Sequence, residues 1–230
     1  MLQALKNNKI DVKHNEDAKT SSIIGEMLHL PSDLLWSLLR EAIAFNSRLP
    51  KCVGEVSMFE FWPRWEAKGE GNTNKRIVEP DVFIRFEHID LIIEVKRNDR
   101  EGQYRTQWTN EIGSYLNKYR EDEKDVVLIA LGGNADLHNE TINENSIVKY
   151  TIFKCSWLSL LEKIEEQLRT LNKVAFRDSH TMQNIRILQD IIYSFNLYGD
   201  YIIDWFDSIP NNIINMNTHS VHNISELWKI

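Results

Sequence analysis

The stretch EPDVFIRFEHIDLIIEVKR, residues 79–97, decides the fold that this sequence predicts. It holds two runs of strand-forming residues separated by a very short turn, a spacing typical of an antiparallel hairpin. Side chains alternate faces along a strand, so Glu94 and Lys96 project to the same side of the second strand. Asp81 starts the first strand and is expected to lie beside them. The hairpin therefore brings two carboxylates and an ammonium to one end of a sheet.

Helical and strand patterns alternate on both sides of this hairpin. Residues 125–131, DVVLIAL, are almost continuously apolar, as expected for a strand covered on both faces. The order predicts an α/β fold, with a mixed central β-sheet flanked by helices and a C-terminal helical extension. The other predicted elements are a helical segment at 21–46 that restarts near Pro31, strands at 53–65 and 147–155, and helices at 101–120, 156–171 and 182–197.

Three regions of different character divide the chain. Residues 1–20 are polar and aperiodic and are predicted to form an N-terminal arm, either mobile or a short helix. Residues 21–175 are predicted to form the α/β core. Residues 176–230 are predicted to form a helical extension, which includes an aromatic and acidic helix near 201–209. We expect this extension to pack on the core or to contact a protein, including a second copy of the chain.

Composition limits the classes of function. The formal net charge of −7 argues against a protein that binds nucleic acid through a uniformly basic surface. No apolar run approaches the ~20 residues of a membrane-spanning helix, and the N-terminus lacks the apolar centre of a signal peptide. Cys52 and Cys155 are far apart, without a metal-ligand pattern. These features predict a cytoplasmic protein that has no membrane partner.

Asp81, Glu94 and Lys96, at the end of the hairpin, are residue types that suit metal-assisted hydrolysis. Two carboxylates suit Mg²⁺, and a nearby lysine can orient or deprotonate a metal-bound water, which fits phosphodiester hydrolysis. The competing interpretation is a cross-strand salt bridge on a solvated face. The apolar residues Ile92, Ile93 and Val95 argue for a central strand instead, where charges are costly unless paired or metal-bound. Asp90 is either a competing ligand or a charge at the hairpin end.

Pro80-Asp81 and Glu94-Val95-Lys96, on adjacent strands in an αβββαβ order, resemble the PD-(D/E)XK nuclease superfamily, which has the restriction-endonuclease-like fold. The resemblance covers about residues 22–155. It implies a metal-dependent endonuclease in which Asp81, Glu94 and the Val95 carbonyl hold Mg²⁺, with Mn²⁺ able to substitute. It also implies that Lys96 positions the attacking water.

Many members of this superfamily add an acid from the first helix and a glutamine from the helix after the lysine. The resemblance implies Glu26 as the first-helix metal ligand, with Glu41 as the alternative. It implies Gln107 as the catalytic glutamine, with Gln103 as a possible substitute. One subgroup carries a tyrosine four residues after the glutamine, and this sequence departs from it by having Glu111 there.

The expected partner is nucleic acid, with DNA favoured. The basic residues Lys96, Arg97, Arg100 and Arg105 follow the motif, interrupted by acids. The resemblance and the size of the chain suggest the nuclease component of a restriction, phage-defence or mobile-element system. The alternative is an inactive nuclease-like module that binds a protein or nucleic acid. A further question is whether Trp62, Arg64 and Trp65 stack on unpaired bases or whether the aromatics belong to the core.

Overall fold

The computed structural model describes residues 9, 11, 13–67, 77–100, 102–144 and 148–202. This part of the chain has an α/β fold, in which five α-helices flank a mixed six-stranded sheet. The helices are α1 (Glu16–Met27), α2 (Ser32–Glu41), α3 (Arg105–Tyr119), α4 (Trp157–Asn172) and α5 (Ser179–Leu197). The strands are β1 (Val56–Phe61), β2 (Trp65–Glu66), β3 (Ile77–Val78), β4 (Val82–Phe86), β5 (Ile89–Val95), β6 (Asp125–Leu131), β7 (Glu140–Glu144) and β8 (Val148–Cys155).

The large sheet has the strand order β1-β4-β5-β6-β8-β7, while β2 and β3 form a separate two-stranded ribbon. Strands β1, β4 and β5 are antiparallel neighbours, and β6 and β8 continue parallel to β5. The predicted hairpin is therefore confirmed, and every residue of β5 is buried, as expected for a central strand. Strand β6 is buried on both faces over most of its length, which confirms the interpretation of its apolar run.

The sheet separates two apolar clusters. Leu91, Ile93 and Val95 of β5 belong to the larger cluster, which also contains side chains of α1, α2, α4 and α5. Ile92 belongs to the smaller cluster, formed with α3 and with Trp65 of the ribbon. Because Glu94 lies two residues from Ile92 on the same strand, it projects toward the side covered by α3. The helix after the hairpin therefore forms one wall of the candidate site.

Helix α3 begins later than its periodicity predicts. Trp108, Ile112 and Tyr115, which recur at helical spacing, are buried on one face of the helix. Tyr104 has the same spacing, but it is the N-cap residue and is 65% exposed. The Tyr115 hydroxyl donates to Asp90 Oδ2 at 3.0 Å. Burial, followed by the charge of Asp90, raises the pKa of Tyr115.

Asp90 is fully buried and belongs to the turn end of the hairpin. It pairs across the strands with Arg85, whose Nη2 lies 3.0 Å from Asp90 Oδ2. Four residues along a strand separate Asp90 from Glu94 by about 13 Å. This geometry favours the hairpin-end charge over a ligand that competes with Glu94.

Helix α1 and strand β7 begin in stretches with weak sequence signals. Helix α1 begins at Glu16, capped by the Asn15 side chain, so the described N-terminal segment ends in a helix, one of the two forms expected for it. The sequence predicts no strand at β7, because ETINE is polar apart from the buried Ile142 and suits an edge strand. The break at Pro31 and the restart of a helix at Ser32 are as predicted.

Helix α5 packs on the core through its aromatic and aliphatic side chains. Phe195 is fully buried and meets the Trp157 ring edge to face at 5.8 Å. Tyr198 shares a hydrogen bond of 3.1 Å with Ser22 of α1. Most of the predicted helix near 201–209, with Trp205 and Phe206, lies outside the described residues. None of the described helices combines the length and the apolar character that a membrane crossing needs.

Candidate active site

The hairpin places Asp81 and Glu94 opposite one another. Val82 pairs with Ile93 in the antiparallel register, so the next positions outward are these two acids. Asp81 is 8% exposed and Glu94 is 1% exposed. The Val95 N–H donates to Asp81 Oδ2 at 2.8 Å, which ties the first acid to the backbone of the strand that carries the second.

Lys96 folds back over the pair. Its Nζ donates to Glu94 Oε1 and, at 2.8 Å, to the Val95 carbonyl. Burial works against the charged form of this lysine, but the charge and the hydrogen bond of Glu94 outweigh it and raise the Lys96 pKa. Lys96 is therefore an ammonium that donates hydrogen bonds in this arrangement.

The predicted glutamine contacts the site. Gln107 Nε2 donates to Glu94 Oε1 at 2.6 Å. Gln103, the possible substitute, contacts the backbone: its Nε2 donates to the Glu94 carbonyl at 3.0 Å. Trp108 Nε1 in turn donates to Gln103 Oε1 at 2.8 Å. Both glutamines therefore hold the strand end that carries Glu94.

Glu111 is a third buried carboxyl group, and the sequence did not assign it to the site. It is 1% exposed and lies one helical turn after Gln107. Burial, then the charge of Glu94 and a hydrogen bond with it, raise the Glu111 pKa well above its ordinary value. Apart from this contact between the two carboxyl groups, Glu94 Oε2 and Glu111 Oε2 are buried without a hydrogen-bond partner among the described residues. The site thus holds two buried carboxyl groups that contact each other.

The first helix contributes a different acid from the expected one. Glu16 Oε1 lies 3.8 Å from Lys96 Nζ, and Glu16 Oε2 accepts from the Arg97 N–H at 2.8 Å. Glu26 is ten residues further along α1, about 15 Å along the helix axis. Glu41 ends α2, where its Oε1 accepts from the Ser37 hydroxyl at 2.9 Å. The structure therefore brings Glu16, rather than Glu26 or Glu41, to the lysine.

Three glycines surround Lys96. Gly132 and Gly133 follow β6 with φ of +72° and +65°, in the left-handed region that favours glycine. A Cβ on Gly133 would lie 2.6 Å from Lys96 Cβ, and one on Gly102 would lie 3.3 Å from Lys96 Cδ. A Cβ on Gly132 would clash with the Lys96 carbonyl oxygen. That carbonyl accepts a hydrogen bond from Trp157 Nε1 at 2.7 Å. The lysine stem runs through a channel that side chains would close.

Some of the charged residues that follow Lys96 in the sequence hold the fold together, and others are exposed beside the site. Asp99 accepts from the N–H groups of Trp157 and Leu158 at 2.6 and 3.1 Å, at the start of α4. Arg105 Nη2 donates to the Thr141 carbonyl at 2.6 Å. Arg97 and Arg100 are exposed beside the site and can contact a ligand.

The two tryptophans before the hairpin have separate environments. Trp65 is 1% exposed and packs edge to face on Phe83, which favours the core interpretation for it. Trp62 is half-buried and has φ of +50°, an unusual backbone for a residue followed by proline. Its N–H donates to the Asp81 carbonyl at 3.0 Å. A strained backbone therefore directly supports the first acid of the site.

The donor set is compatible with a hard divalent cation. The described residues contain no group of three or more His, Cys, Asp and Glu arranged to hold a metal. Mg²⁺ needs only one or two carboxylates, because waters and phosphate oxygens complete its shell. Asp81, Glu94 with its unpartnered Oε2, and the Val95 carbonyl supply such a set. The acids around the single Lys96 also leave a local excess of negative charge.

Burial, and next the charge of Glu94, raise the pKa of Asp81 from its ordinary value of 3.8 to about 7. The folded protein then binds a proton that the unfolded chain releases between about pH 4 and pH 7, so stability falls as pH rises through that window. A cation bound by the deprotonated acid would offset this loss. We expect Mg²⁺ to raise the melting temperature more at about pH 8 than at about pH 5.

Thermal unfolding by circular dichroism, with and without Mg²⁺ at each pH, measures this effect. Asp81→Asn should lower both the pH dependence and the response to Mg²⁺. An equal Mg²⁺ response at the two pH values would contradict the assignment of the cation to this acid pair.

Comparison with known proteins does not assign the chain to a family. No protein-family model matches the chain. No curated protein matches it either. The argument for function therefore depends on the geometry of the site.

Proposed function

We propose that this protein is a Mg²⁺-dependent endonuclease that hydrolyses phosphodiester bonds, with DNA as the favoured substrate. The observation that carries this proposal is the placement of Asp81 opposite Glu94, with Lys96 bound to Glu94. An ordinary surface salt bridge would lie on a solvated face, whereas these acids are buried at the end of a central strand. Such an arrangement is costly for stability and suits a site that binds a cation.

Each residue has a distinct part in the proposed reaction. Asp81, Glu94 and the Val95 carbonyl would hold the cation, which when bound supplies a polarised water and neutralises charge on the phosphate. Gln107 and Lys96 both donate to Glu94 Oε1, so Oε2 is the oxygen left for the cation. The glutamine thus orients the carboxylate.

The protonated state of Lys96 limits the catalytic roles that this residue can take. Because Glu94 raises the Lys96 pKa, this side chain is suited to donate a hydrogen bond rather than to accept a proton. We assign it to holding the attacking water and to stabilising negative charge on the phosphate oxygens. Arg97 and Arg100, exposed beside it, would contact neighbouring phosphates.

The order of elements supports a restriction-endonuclease-like core. Helix α1, strands β1, β4 and β5, helix α3 and strand β6 follow one another in an αβββαβ order, with helix α2 and the β2–β3 ribbon inserted between them, and β6 is parallel to β5. We place the protein as the nuclease component of a restriction, phage-defence or mobile-element system, in which a partner supplies recognition. We also propose that the C-terminal region contacts a partner protein or a second copy of the chain.

The test is a panel of end-labelled substrates incubated with the purified protein in Mg²⁺, Mn²⁺ or EDTA. Single-stranded DNA, duplex DNA and RNA of one sequence separate the substrate classes. We expect cleavage in either metal and none in EDTA, with 5′-phosphate and 3′-hydroxyl products. Absence of cleavage on all three substrates would overturn the proposal and favour the inactive binding module.

A further inference from the structure

A cavity of about 370 Å³ lies between strand β3 and the first turns of helix α3. This volume falls within the ~300–1,000 Å³ of small-ligand pockets. Its walls are formed by Ile77, Val78 and Glu79 on the strand side and by Tyr104, Thr106, Gln107, Asn110 and Glu111 on the helix side. Because Gln107 donates to Glu94 and Glu111 also contacts it, the cavity adjoins the candidate active site.

The described walls of the cavity suit a neutral polar occupant better than a phosphate. Among the described lining residues there is no lysine, arginine or histidine to attract a phosphate. The two acids of the lining are Glu79, which pairs with Arg64 at 3.2 Å, and Glu111, whose raised pKa favours its neutral form. The neutral polar groups that remain are the amides of Gln107 and Asn110 and the hydroxyl of Thr106. Amides and hydroxyls both donate and accept hydrogen bonds, as base edges do.

The rim of the cavity offers apolar surface for a planar ring. Tyr104 on the helix side is 65% exposed, and Ile77 on the strand side is 54% exposed. An exposed tyrosine ring is a platform on which a base of any identity can stack. Glu79, whose Oε2 accepts from Arg64, has a second carboxylate oxygen that can accept from the amino group of a base.

We propose that this cavity takes one unstacked nucleobase of the substrate, next to the phosphate that is cut, with Tyr104 stacking on it. The inference rests on the proposed nuclease function and narrows its substrate class. A base held in a duplex stack cannot enter such a cavity, so the substrate is single-stranded or opened at the cut. Tyr104 therefore acts in substrate binding, although it caps a helix whose other aromatic residues are buried.

The experiment uses a single-stranded DNA of fixed sequence, end-labelled, in which one abasic residue is moved through the positions around the main cut. For the wild type, one abasic position should lower the cleavage rate at that bond by roughly tenfold or more, the loss expected for one stacked base. Tyr104→Ala should show a similar loss on the intact strand and little further loss at that abasic position. Asn110→Ala should change the preference among the four bases there.

Phe176→Ala is the matched control, because Phe176 is an exposed aromatic residue of the α4–α5 connection, outside the cavity. This variant should keep the wild-type rate and the wild-type abasic pattern. Uniform wild-type cleavage at all abasic positions would overturn the inference alone, as would Tyr104→Ala with the full abasic loss. A wild type that cuts no oligonucleotide would overturn the proposed function and this inference with it.

Discussion

Lys96→Met is expected to reduce the rate of metal-dependent cleavage by roughly 10²- to 10³-fold, the loss typical of removing one donor aimed at developing charge. The ammonium of Lys96 contacts Glu94 and the Val95 carbonyl, so it lies where the cation and the phosphate would meet. Methionine has a similar length but cannot donate a hydrogen bond. Single-turnover rates on the best substrate of the panel measure the effect.

Stability must be measured beside the rate, because Glu94 is buried and loses one donor in this variant. A loss of about 1–3 kcal/mol in the free energy of unfolding is expected. Lys96→Arg keeps the charge, but its planar fork should fit poorly between the neighbouring glycines, so slow cleavage with near-normal stability is expected. Lys163→Met removes an exposed lysine that pairs with Glu166 on α4 and should leave the rate unchanged. Wild-type cleavage by Lys96→Met would contradict the assigned role.

Gly133→Ala is expected to reduce cleavage by about 10²-fold, since a displacement of even ~1 Å in a catalytic group can have that effect. The added Cβ would lie 2.6 Å from Lys96 Cβ and 2.7 Å from Lys96 Cγ. Gly102 bounds the other side of the channel, so the lysine stem has little room to move aside. The left-handed backbone at Gly133 adds a stability cost of about 1–2 kcal/mol.

Gly199→Ala separates these two effects. Gly199 also has a left-handed φ, +84°, but a Cβ there would meet nothing within 4 Å. This variant should lose a similar 1–2 kcal/mol of stability from its backbone alone and keep the wild-type cleavage rate. Equal rates for the two alanine variants, once both are shown to be folded, would mean that Gly133 does not position Lys96.

The central hairpin could be predicted because its signals are local. Strand-forming residues on either side of a short turn specify antiparallel pairing, and the period of two places Glu94 and Lys96 on one side. The apolar run at 125–131 likewise specifies a strand covered on both faces. The opposition of Asp81 and Glu94 follows from this pairing, so the centre of the candidate site required no long-range information.

The surrounding acids could not be predicted in the same way. Glu16 lies in a polar stretch whose helix begins with an asparagine cap, and its contact with Lys96 depends on how α1 packs under the sheet. Glu111 is a single acid on a helix, which is ordinarily solvated. Its position one turn after Gln107, on the side that meets Glu94, was the available signal.

The role of the Gly132-Gly133 pair also depends on tertiary structure. After an apolar strand, two glycines indicate a tight turn, and the sequence provides no reason to place that turn against Lys96. The reason that both positions need glycine becomes clear only in the folded chain. There β6 lies parallel to β5, and the end of β6 meets the end of β5. Strand β7 was missed for a related reason, because a polar edge strand is specified by its partner β8 rather than by its own residues.

The most direct test of the central claim is the Mg²⁺ dependence of the single-turnover cleavage rate in the wild type and in Asp81→Asn. We predict a saturable dependence on Mg²⁺ for the wild type, no cleavage in EDTA, and a need for roughly 10- to 100-fold more Mg²⁺ in the variant. Asp33→Asn, which changes an exposed acid on α2, should behave as the wild type. Cleavage that persists in EDTA, or the same Mg²⁺ dependence in Asp81→Asn as in the wild type, would contradict the account.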